Sequence, residues 1–535
     1  MKMAKPELTS NRIGLLPFLV VILIVAHVIA FVSLLVLQIS NRQDIPENEE
    51  ALERKIGGGV KQEIGSDMLL RSVIITNSLW VRSQRHILSF LVRRLCVSAH
   101  VFTSVSSRKG LGIDEGCNDF LPWLENKAGV EISSLLSIGK SANGRALYAA
   151  EDIQTGDCLL KVPFSVQLAP DNLPPGITCL LGDKVGDVAK VALLILHEKR
   201  LGHKSEWAPY ISCLPVLEDM HGSVFWSDEE LEMIQHSALY EETLKQKQQI
   251  EKDFLALKLV FDQFPDRFQN VTVEDFTYAY GLVTSRAWGS SRGVSMIPFA
   301  DFFNHDGTSE SYVLSDEGKQ HSEVIADREF APGDEVLIRY GRFSNATLIL
   351  DFGFSVSCNR YDHVQIKLNV PQHDVLCTQK LQLLGRHRTR SIKDDNEFTY
   401  SENSFIIREV RPGSKWGKGI PQSLRAFARI LTCNSQQELD NLRNEATQND
   451  GRLARKPFKN KNREIAAHQL LLSEVSHLIT EYEKHIKLLV PTPPFLCERS
   501  APRRRLALDL LTGELRVLKS ASAWLENYCS MLRTH

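Results

Sequence analysis

The spacing of apolar residues along this 535-residue chain predicts a mixture of helices and short strands in its central part. Apolar side chains recur every three or four positions from Asp187 to Leu201 and from Val271 to Trp288, as in amphipathic helices. Thr272 has the right residue type and position to cap the second of these helices. Cys158 to Pro163 and Glu335 to Tyr340 have the composition of strands and follow turn residues.

Beyond His363 the apolar positions fit helices. One buried stripe with spacings of three and four consists of Leu472, Val475, Ile479, Tyr482 and Ile486. Two more helices are predicted from Leu424 to Leu431 and from Leu506 to Leu532. We interpret the basic stretch from Arg452 to Arg463 as a solvated connector rather than a nucleic-acid site.

Residues 1–67 form a distinct N-terminal segment with a candidate transmembrane helix at 14–38. No formal charge occurs from Ile13 to Ser40, and about 20 apolar residues are enough to cross a bilayer. The polar remainder of the segment is a linker. We expect a single-pass membrane protein if the helix is retained. The alternative is a leader that is removed or never translated.

Residues 68–113 are rich in Arg and Ser and contain no Asp or Glu. This composition is typical of organelle transit peptides, which begin a chain. Translation from Met68 would therefore send the protein to a chloroplast or mitochondrion. The alternative is a basic stretch beside a membrane helix, and a protein with neither signal would be cytoplasmic.

The overall charge and the cysteine spacing exclude two classes of site. The 63 Lys and Arg residues are matched by 65 Asp and Glu residues, which argues against nucleic-acid binding driven by bulk charge. The ten cysteines are scattered without any C-x-x-C pair, so we predict no metal site. Such singletons fit a reducing compartment or burial as small apolar side chains.

One motif stands apart from this ordinary background. Asp301-Phe-Phe-Asn-His305 places an Asn-His pair in an apolar, aromatic setting, and a strand-like run ends at Tyr340 about 35 residues later. Gly341 follows Tyr340 and permits close approach of the backbone. A lone histidine is more often a core residue, and so is a strand-end tyrosine. Their combination with Asp301 and Asn304 favours a binding site.

Six collinear motifs resemble the plant Rubisco large-subunit methyltransferase-like branch of the SET-domain family. They are 143–149, 207–215, 285–288, 298–305, 333–341 and 344–354. The resemblance implies an α+β protein with a SET domain of small β-sheets at 119–358, interrupted by a helical insertion at about 170–286. It also implies an all-helical substrate-binding domain at 359–535. The implied activity is methyl transfer from S-adenosyl-L-methionine (AdoMet) to a lysine of a non-histone protein substrate.

The resemblance also implies roles for individual residues. The cofactor-binding residues would be Asn143, Gly144, Arg145, Arg286, Asp301, Asn304, His305 and Tyr340. Tyr340 would also be catalytic through its hydroxyl group. Trp288 and Tyr312 would border the target side chain. No metal takes part in this chemistry, which needs a neutral amine, an apolar channel and well-placed polar groups.

The chain departs from the family pattern at three positions. Asn143 and Ala146 stand where the family often has an acidic residue and a glycine, and Phe352 replaces a tyrosine. The last change removes a hydroxyl near the cofactor, which favours a second hypothesis, a catalytically silent module that binds a protein partner. Two further hypotheses are a histidine methyltransferase on the same fold and a membrane-anchored scaffold.

Overall fold

A computed structural model describes eight stretches of the chain. They are residues 117, 119–142, 144–182, 185–290, 293–386, 403–449, 451–490 and 499–534. The predicted helix at 14–38, the transit-like stretch at 68–113 and Asn143 lie outside them. Within these stretches, none of the helices has both the length and the apolar character that crossing a membrane requires.

Small sheets make up the β part of the first half, as the resemblance implied. The strands are β1 Leu136–Ser141, β2 Gly144–Ala149, β3 Cys158–Pro163, β4 Ala287–Ser290, β5 Gly293–Met296, β6 Asn304–His305, β7 Leu314–Asp316, β8 His321–Ile325 and β9 Leu337–Ile338. Strands β1–β2, β3–β8–β7 and β4–β5 pair antiparallel, whereas β6 and β9 pair in parallel. The regular part of the strand predicted at Glu335 to Tyr340 is therefore only two residues long.

Helices fill most of the sequence between β3 and β4. Helix α1 Phe120–Ala128 precedes β1. The helices between β3 and β4 are, in chain order, α2 Pro175–Leu181, α3 Asp187–Leu201, α4 Ala208–Cys213, α5 Asp228–Glu232, α6 Ala238–Ala256, α7 Lys258–Gln263, α8 Pro265–Phe268 and α9 Val273–Arg286. Helix α3 has the predicted bounds. Thr272 caps α9 by accepting a hydrogen bond from Asp275 N at 3.1 Å, as its position suggested.

Helix α3 lies at the centre of the first hydrophobic core. All seven residues from Val191 to His197 are buried, so the helix is covered on every side rather than along one stripe. Phe276 and Leu282 of α9 belong to the same core, as do Phe299 and Phe302 just before β6. The residues that lead into the Asn-His motif are thus anchored in this core.

The second half is helical but not all-helical, which corrects the prediction. Its helices are α10 Asn345–Thr347, extended by a π-helical turn Leu348–Phe352, then α11 Cys377–Arg386, α12 Gln422–Leu431, α13 Gln436–Gln448, α14 Lys461–Leu489 and α15 Ser500–Thr534. Strands β10 His363–Lys367 and β11 Ser404–Arg408 pair antiparallel among them. In β10 only Val364 and Ile366 are buried. This alternation covers five residues, too few to stand out in the sequence.

A buried polar contact joins the two halves. Glu514 of α15 accepts a hydrogen bond from the Ser237 hydroxyl at 2.8 Å, and its other carboxyl oxygen lies 2.7 Å from the Tyr482 hydroxyl. Burial raises the pKa of Glu514 to about 8. The Tyr482 hydroxyl also lies 3.0 Å from His236 O and has a single proton. If Glu514 is protonated, its own O–H donates to the Tyr482 oxygen. The Tyr482 proton is then free to be donated to His236 O, and all three groups are hydrogen-bonded.

Replacing Glu514 with Gln should therefore stabilise the protein at alkaline pH. The folded state of the natural protein binds one more proton than the unfolded chain between pH 4.5 and about 8. Its free energy of unfolding should fall with rising pH in that window, by at most about 1.4 kcal/mol per pH unit. Glu514→Gln mimics the protonated carboxyl, so urea unfolding at several pH values should show a flatter profile and higher stability at pH 8.

The exposed Glu474 of α14 provides the matched control. Glu474→Gln should leave the pH profile of unfolding as it is in the natural protein. A Glu514→Gln variant that is less stable than the natural protein at pH 8 would show that Glu514 is charged in the folded state.

Candidate functional site

Residues 333–340, which end at Tyr340, lie between two other parts of the backbone. Strand β2 lies on one side of residues 333–340, and residues 304–311 lie on the other. The hydrogen bonds that hold the segment are Ala149 N to Asp334 O (2.9 Å), Val336 N to Leu147 O (2.8 Å), Asp306 N to Ile338 O (2.8 Å) and Arg339 N to Ser311 O (2.8 Å). Bonds on both sides fix the register of the segment, and with it the position of Tyr340.

The structure brings Asn304, His305 and Tyr340 together. Tyr340 N donates to His305 Nδ1 at 3.1 Å, and the two rings lie 5.2 Å apart between centroids. The Tyr340 hydroxyl donates to the backbone carbonyl of Phe303 at 2.5 Å. Asn304 lies between Phe303 and His305 in the sequence, so it is held next to both contacts of Tyr340. The pair and the distant tyrosine are therefore close enough to contact one small ligand.

His305 is neutral at physiological pH. Burial lowers its pKa to about 4, with Asp306 opposing the shift. Because Nδ1 accepts a hydrogen bond from a backbone N–H, the single ring proton must lie on Nε2. The ring therefore holds the backbone of Tyr340 in place and is not a general acid at neutral pH.

The Asn304 side chain connects the motif to the turn between β1 and β2. Its Nδ2 lies 2.9 Å from Glu335 Oε1, 3.3 Å from Ser141 Oγ and 3.4 Å from Arg145 O. The group has two protons for these three acceptors, and the carboxylate is the nearest and strongest of them. Gly144, the first residue of β2 after this turn, has φ of +99°, a conformation that favours glycine.

Asp301 and Arg286 form a largely buried ion pair beside the motif. Arg286 NH1 lies 3.3 Å from Asp301 Oδ2 and donates to Asp301 O at 2.9 Å. The Tyr210 hydroxyl donates to the same carboxylate oxygen at 2.9 Å. Burial raises the pKa of Asp301, although Arg286 and Tyr210 oppose this shift. Arg286 Nε and Asp301 Oδ1 are buried without a partner among the described residues.

Backbone strain accompanies this arrangement. Phe299 is fully buried and adopts φ of +75° and ψ of −47°, a conformation that costs on the order of 1–3 kcal/mol in a non-glycine residue. It turns the chain immediately before Ala300–Phe302. Such strain persists where the surrounding packing determines the backbone, and it is concentrated at functional sites.

Aromatic rings form one wall around Tyr340. Its ring centroid lies 5.1 Å from that of Phe352 and 6.2 Å from that of Phe354. Gly353 separates these two phenylalanines with φ of +76°, and a Cβ there would come within 2.7 Å of Gly222 N. The wall is thus apolar and rigid. Burial in this setting raises the pKa of the Tyr340 phenol, so the hydroxyl keeps its proton at neutral pH.

Arg145 reaches the same region with its side chain. Its guanidinium carbon lies 5.2 Å from the centre of the Phe302 ring, and NH1 donates to the carbonyl oxygen of Cys213 at the end of α4. The carbonyl of Arg145 faces Asn304, as described above. The charge of Arg145 therefore lies next to the aromatic residues of the motif.

The two predicted substrate-contact residues are less closely associated with this group. Trp288 lies half-buried in β4 opposite Ser295, and the Tyr312 side chain is 48% exposed. Among the described residues, no hydrogen bond or ring contact joins either of them to Asn304, His305 or Tyr340. Their roles stay predictions.

Sequence reasoning missed two residues that the site depends on. Tyr210 supports Asp301, and Glu335 accepts from Asn304. Tyr210 belongs to the Trp207–Pro215 motif, so the resemblance could have identified it. Glu335 lies within the 333–341 motif, but its proximity to Asn304 follows from the pairing of β6 with β9, which the motif does not specify.

No metal centre is evident in this region. Across the described stretches, no group of three or more His, Cys, Asp and Glu side chains could hold a metal ion.

Comparison with known sequence families gives two adjacent matches. The profile of the SET domain matches residues 144–341. The profile described as Rubisco LSMT substrate-binding matches residues 371–518. The first match contains every candidate site residue that the structure describes, and the second contains most of the helical half.

Similar proteins with known functions include methyltransferases. The chloroplastic [fructose-bisphosphate aldolase]-lysine N-methyltransferase of Arabidopsis thaliana is 28% identical over 51% of this chain and 58% of its own length. The actin-histidine N-methyltransferase of Mus musculus is 25% identical over 75% of this chain and 67% of its own length. The chain thus spans less than two thirds of the length of the Arabidopsis protein.

Solved structures show the same fold. Rubisco LSMT bound to AdoMet superposes with a TM-score of 0.61, 20% identity and coverage of 79% of this chain and 94% of that chain. The complex of Rubisco LSMT with sinefungin and monomethyllysine gives the same values. The predicted SET fold with a helical second half is confirmed.

The neutral state of His305 can be measured directly. We expect NMR spectra of the ring to show the Nε2-protonated form unchanged from pH 7 to pH 5, because the pKa is about 4. In urea the same ring should titrate near its ordinary value of about 6.5. The unfolded chain then binds this proton more readily, so the His305 contribution to stability is lost as pH falls from 6.5 towards 4. Titration of the folded ring near pH 6.5 would contradict this assignment.

Proposed function

The chain belongs to the SET-domain proteins that carry a Rubisco LSMT substrate-binding domain, and on this premise we propose that it is an AdoMet-dependent protein-lysine N-methyltransferase. The main support for the proposal is that Asn304, His305 and Tyr340 lie in one site. The hydrogen bond from Tyr340 N to His305 Nδ1 holds them there. The lysine specificity is supported by the named activity of the Arabidopsis relative and by the monomethyllysine complex of Rubisco LSMT.

The polar groups of the site fit the cofactor. Arg286 has a buried Nε without a partner among the described residues, and a guanidinium suits a carboxylate or a ribose oxygen. Backbone groups of Gly144 and Arg145, with Asp301, Asn304 and His305, would line the same pocket. AdoMet, when bound, supplies an activated methyl group on a sulfonium centre.

Tyr340 and Phe303 provide the electrostatic part of the reaction. The phenol oxygen and the Phe303 carbonyl are held 2.5 Å apart, and both carry partial negative charge. Oxygens fixed in this way favour an electropositive methyl group without any rearrangement during the reaction. Because the phenol stays protonated, Tyr340 orients and stabilises the reacting groups and does not act as a base.

The aromatic wall provides the conditions for a nucleophilic amine. An exposed lysine amine has a pKa of about 10.4, so it is charged in neutral solution. The rings of Tyr340, Phe352 and Phe354 exclude water, and desolvation favours the uncharged amine. The nearby carboxylate of Asp301 already accepts from Arg286 and Tyr210. Selection of the neutral amine, rather than removal of its proton by a strong base, is therefore the task of this pocket.

Histidine methylation is the second candidate. It is favoured by the similarity to the mouse actin-histidine enzyme, which extends over 75% of this chain. An aromatic residue at Trp288, where the resemblance places the target side chain, favours the flexible, unbranched lysine over an imidazole ring. The site chemistry is otherwise shared by both reactions.

We propose the chloroplast as the compartment. The Arabidopsis relative is chloroplastic by name, and residues 68–113 have the composition of a transit peptide. N-terminal sequencing of the mature protein tests this, since a start beyond residue 68 supports import and an intact apolar segment at 14–38 supports a membrane anchor.

The decisive test of the proposed function identifies the product. The purified full chain is incubated with isotopically labelled AdoMet and a plant cell extract, and labelled peptides are sequenced by mass spectrometry. We expect label on lysine side chains of a non-histone protein. Label on histidine would establish the second candidate, and an absence of enzyme-dependent label would support a silent module.

Replacing Tyr340 with Phe should lower turnover at least about tenfold, because one preorganised polar group is lost from the reacting centre. The affinity for AdoMet, measured by calorimetry, should change little. Tyr278→Phe is the matched control, since Tyr278 also donates its hydroxyl to a backbone carbonyl, Pro215 O, at 2.8 Å. Equal turnover in the natural protein and Tyr340→Phe would remove Tyr340 from the mechanism.

A further inference from the structure

Two cysteine sulfurs lie unusually close together beneath the candidate site. The Sγ atoms of Cys117 and Cys213 are 2.9 Å apart, and each residue is only 4% exposed. Non-bonded carbon atoms pack best at about 3.5–4.0 Å, and sulfur is larger than carbon. A covalent S–S bond is about 2.0 Å long. The pair is therefore closer than two unbonded sulfurs prefer, and a small shift would bring them into bonding distance.

The pair is distinctive among the cysteines. Eight cysteines lie in the described stretches, and among them Cys117 and Cys213 are the only two whose sulfurs contact each other. They are separated by 96 positions in the sequence, so their proximity is a product of the fold. Spacing alone gave no sign of it.

Cys213 belongs to a helix that supports the candidate site directly. It ends α4, and its carbonyl oxygen accepts a hydrogen bond from the Arg145 side chain. Tyr210 of the same helix donates to the buried carboxylate of Asp301. The position of α4 thus determines how two of the predicted cofactor-binding residues are held.

Cys117 lies just ahead of α1, which packs on the same residues. The Phe120 ring lies 6.1 Å from the Tyr210 ring and 5.1 Å from the Phe302 ring. A bond between the two sulfurs would therefore fasten the chain just ahead of α1 to α4, behind the Asn-His motif.

We propose that Cys117 and Cys213 are a disulfide-forming pair that locks α4 against the candidate site. In the reaction, the two thiols lose two protons and two electrons and form one S–S bond. A small disulfide such as oxidised glutathione accepts them and becomes two thiols. The bond closes a loop of 96 positions, and long loops of this kind give large stabilisation because the unfolded chain is constrained.

The surroundings indicate a slow structural bond rather than a rapid switch. Burial raises the pKa of Cys213 to about 12, and the hydrogen bond and proximity to Cys117 add to the shift. The thiolate is the species that attacks a disulfide. Little Cys213 thiolate exists at neutral pH, so attack by Cys213 on a disulfide should be slow and should accelerate at higher pH.

The test compares oxidised and reduced forms of the full chain. The protein is equilibrated in glutathione buffers of defined ratio, alkylated, digested and analysed by mass spectrometry, and its Tm is measured. We expect one linked peptide pair containing Cys117 and Cys213, a loss of two hydrogen atoms, and a Tm several degrees higher than in the reduced form. Hydrogen exchange in 208–213 should slow in the oxidised form.

Three variants separate the pair from other effects. Cys117→Ser and Cys213→Ser should each abolish the Tm difference between oxidising and reducing buffers. Cys433→Ser, which changes a buried cysteine of the other half, should retain it. Full alkylation of both cysteines after denaturing the oxidised protein, or a Tm difference that persists in Cys213→Ser, would overturn the proposal. The comparison within the unmodified chain needs no variant to fold.

Discussion

The parallel pairing of Asn304–His305 with Leu337–Ile338 is the interaction on which the site depends. Parallel strands require a long connection between them, and here it consists of the residues between His305 and Leu337. The pairing places Tyr340, two residues beyond the end of β9, beside His305, the last residue of β6. Because β2 holds the opposite edge of the segment that contains Leu337 and Ile338, this segment cannot slip without loss of hydrogen bonds on both sides.

The charges of the site are arranged so that few groups can gain or lose a proton near neutral pH. His305 is neutral because of burial, and the Tyr340 phenol keeps its proton for the same reason. Asp301 shares its carboxylate between Arg286 and Tyr210. A pocket of this kind acts through fixed dipoles and exclusion of water, which is what an in-line transfer to a neutral amine requires.

The sequence contained the local features of this fold but few of its long-range contacts. Apolar periodicity located α3 and α9, and the Thr272 cap was correct, because helices are determined by neighbours three and four positions away. The resemblance correctly grouped Asn304, His305 and Tyr340. Glu335 and the Cys117–Cys213 pair became visible only in three dimensions, since residues far apart in the sequence create both. The strand β10 was missed because five alternating residues are a weak pattern beside long helices.

We propose that one pocket, built on Asn304, His305 and Tyr340, binds AdoMet. Calorimetric titration of AdoMet into the purified chain and into Asn304→Ala tests this proposal. The natural protein should bind one equivalent, and the variant should bind at least about tenfold more weakly because the link from Asn304 to Glu335 and the β1–β2 turn is lost. Absence of binding by the natural protein, or equal binding by both, would contradict the account.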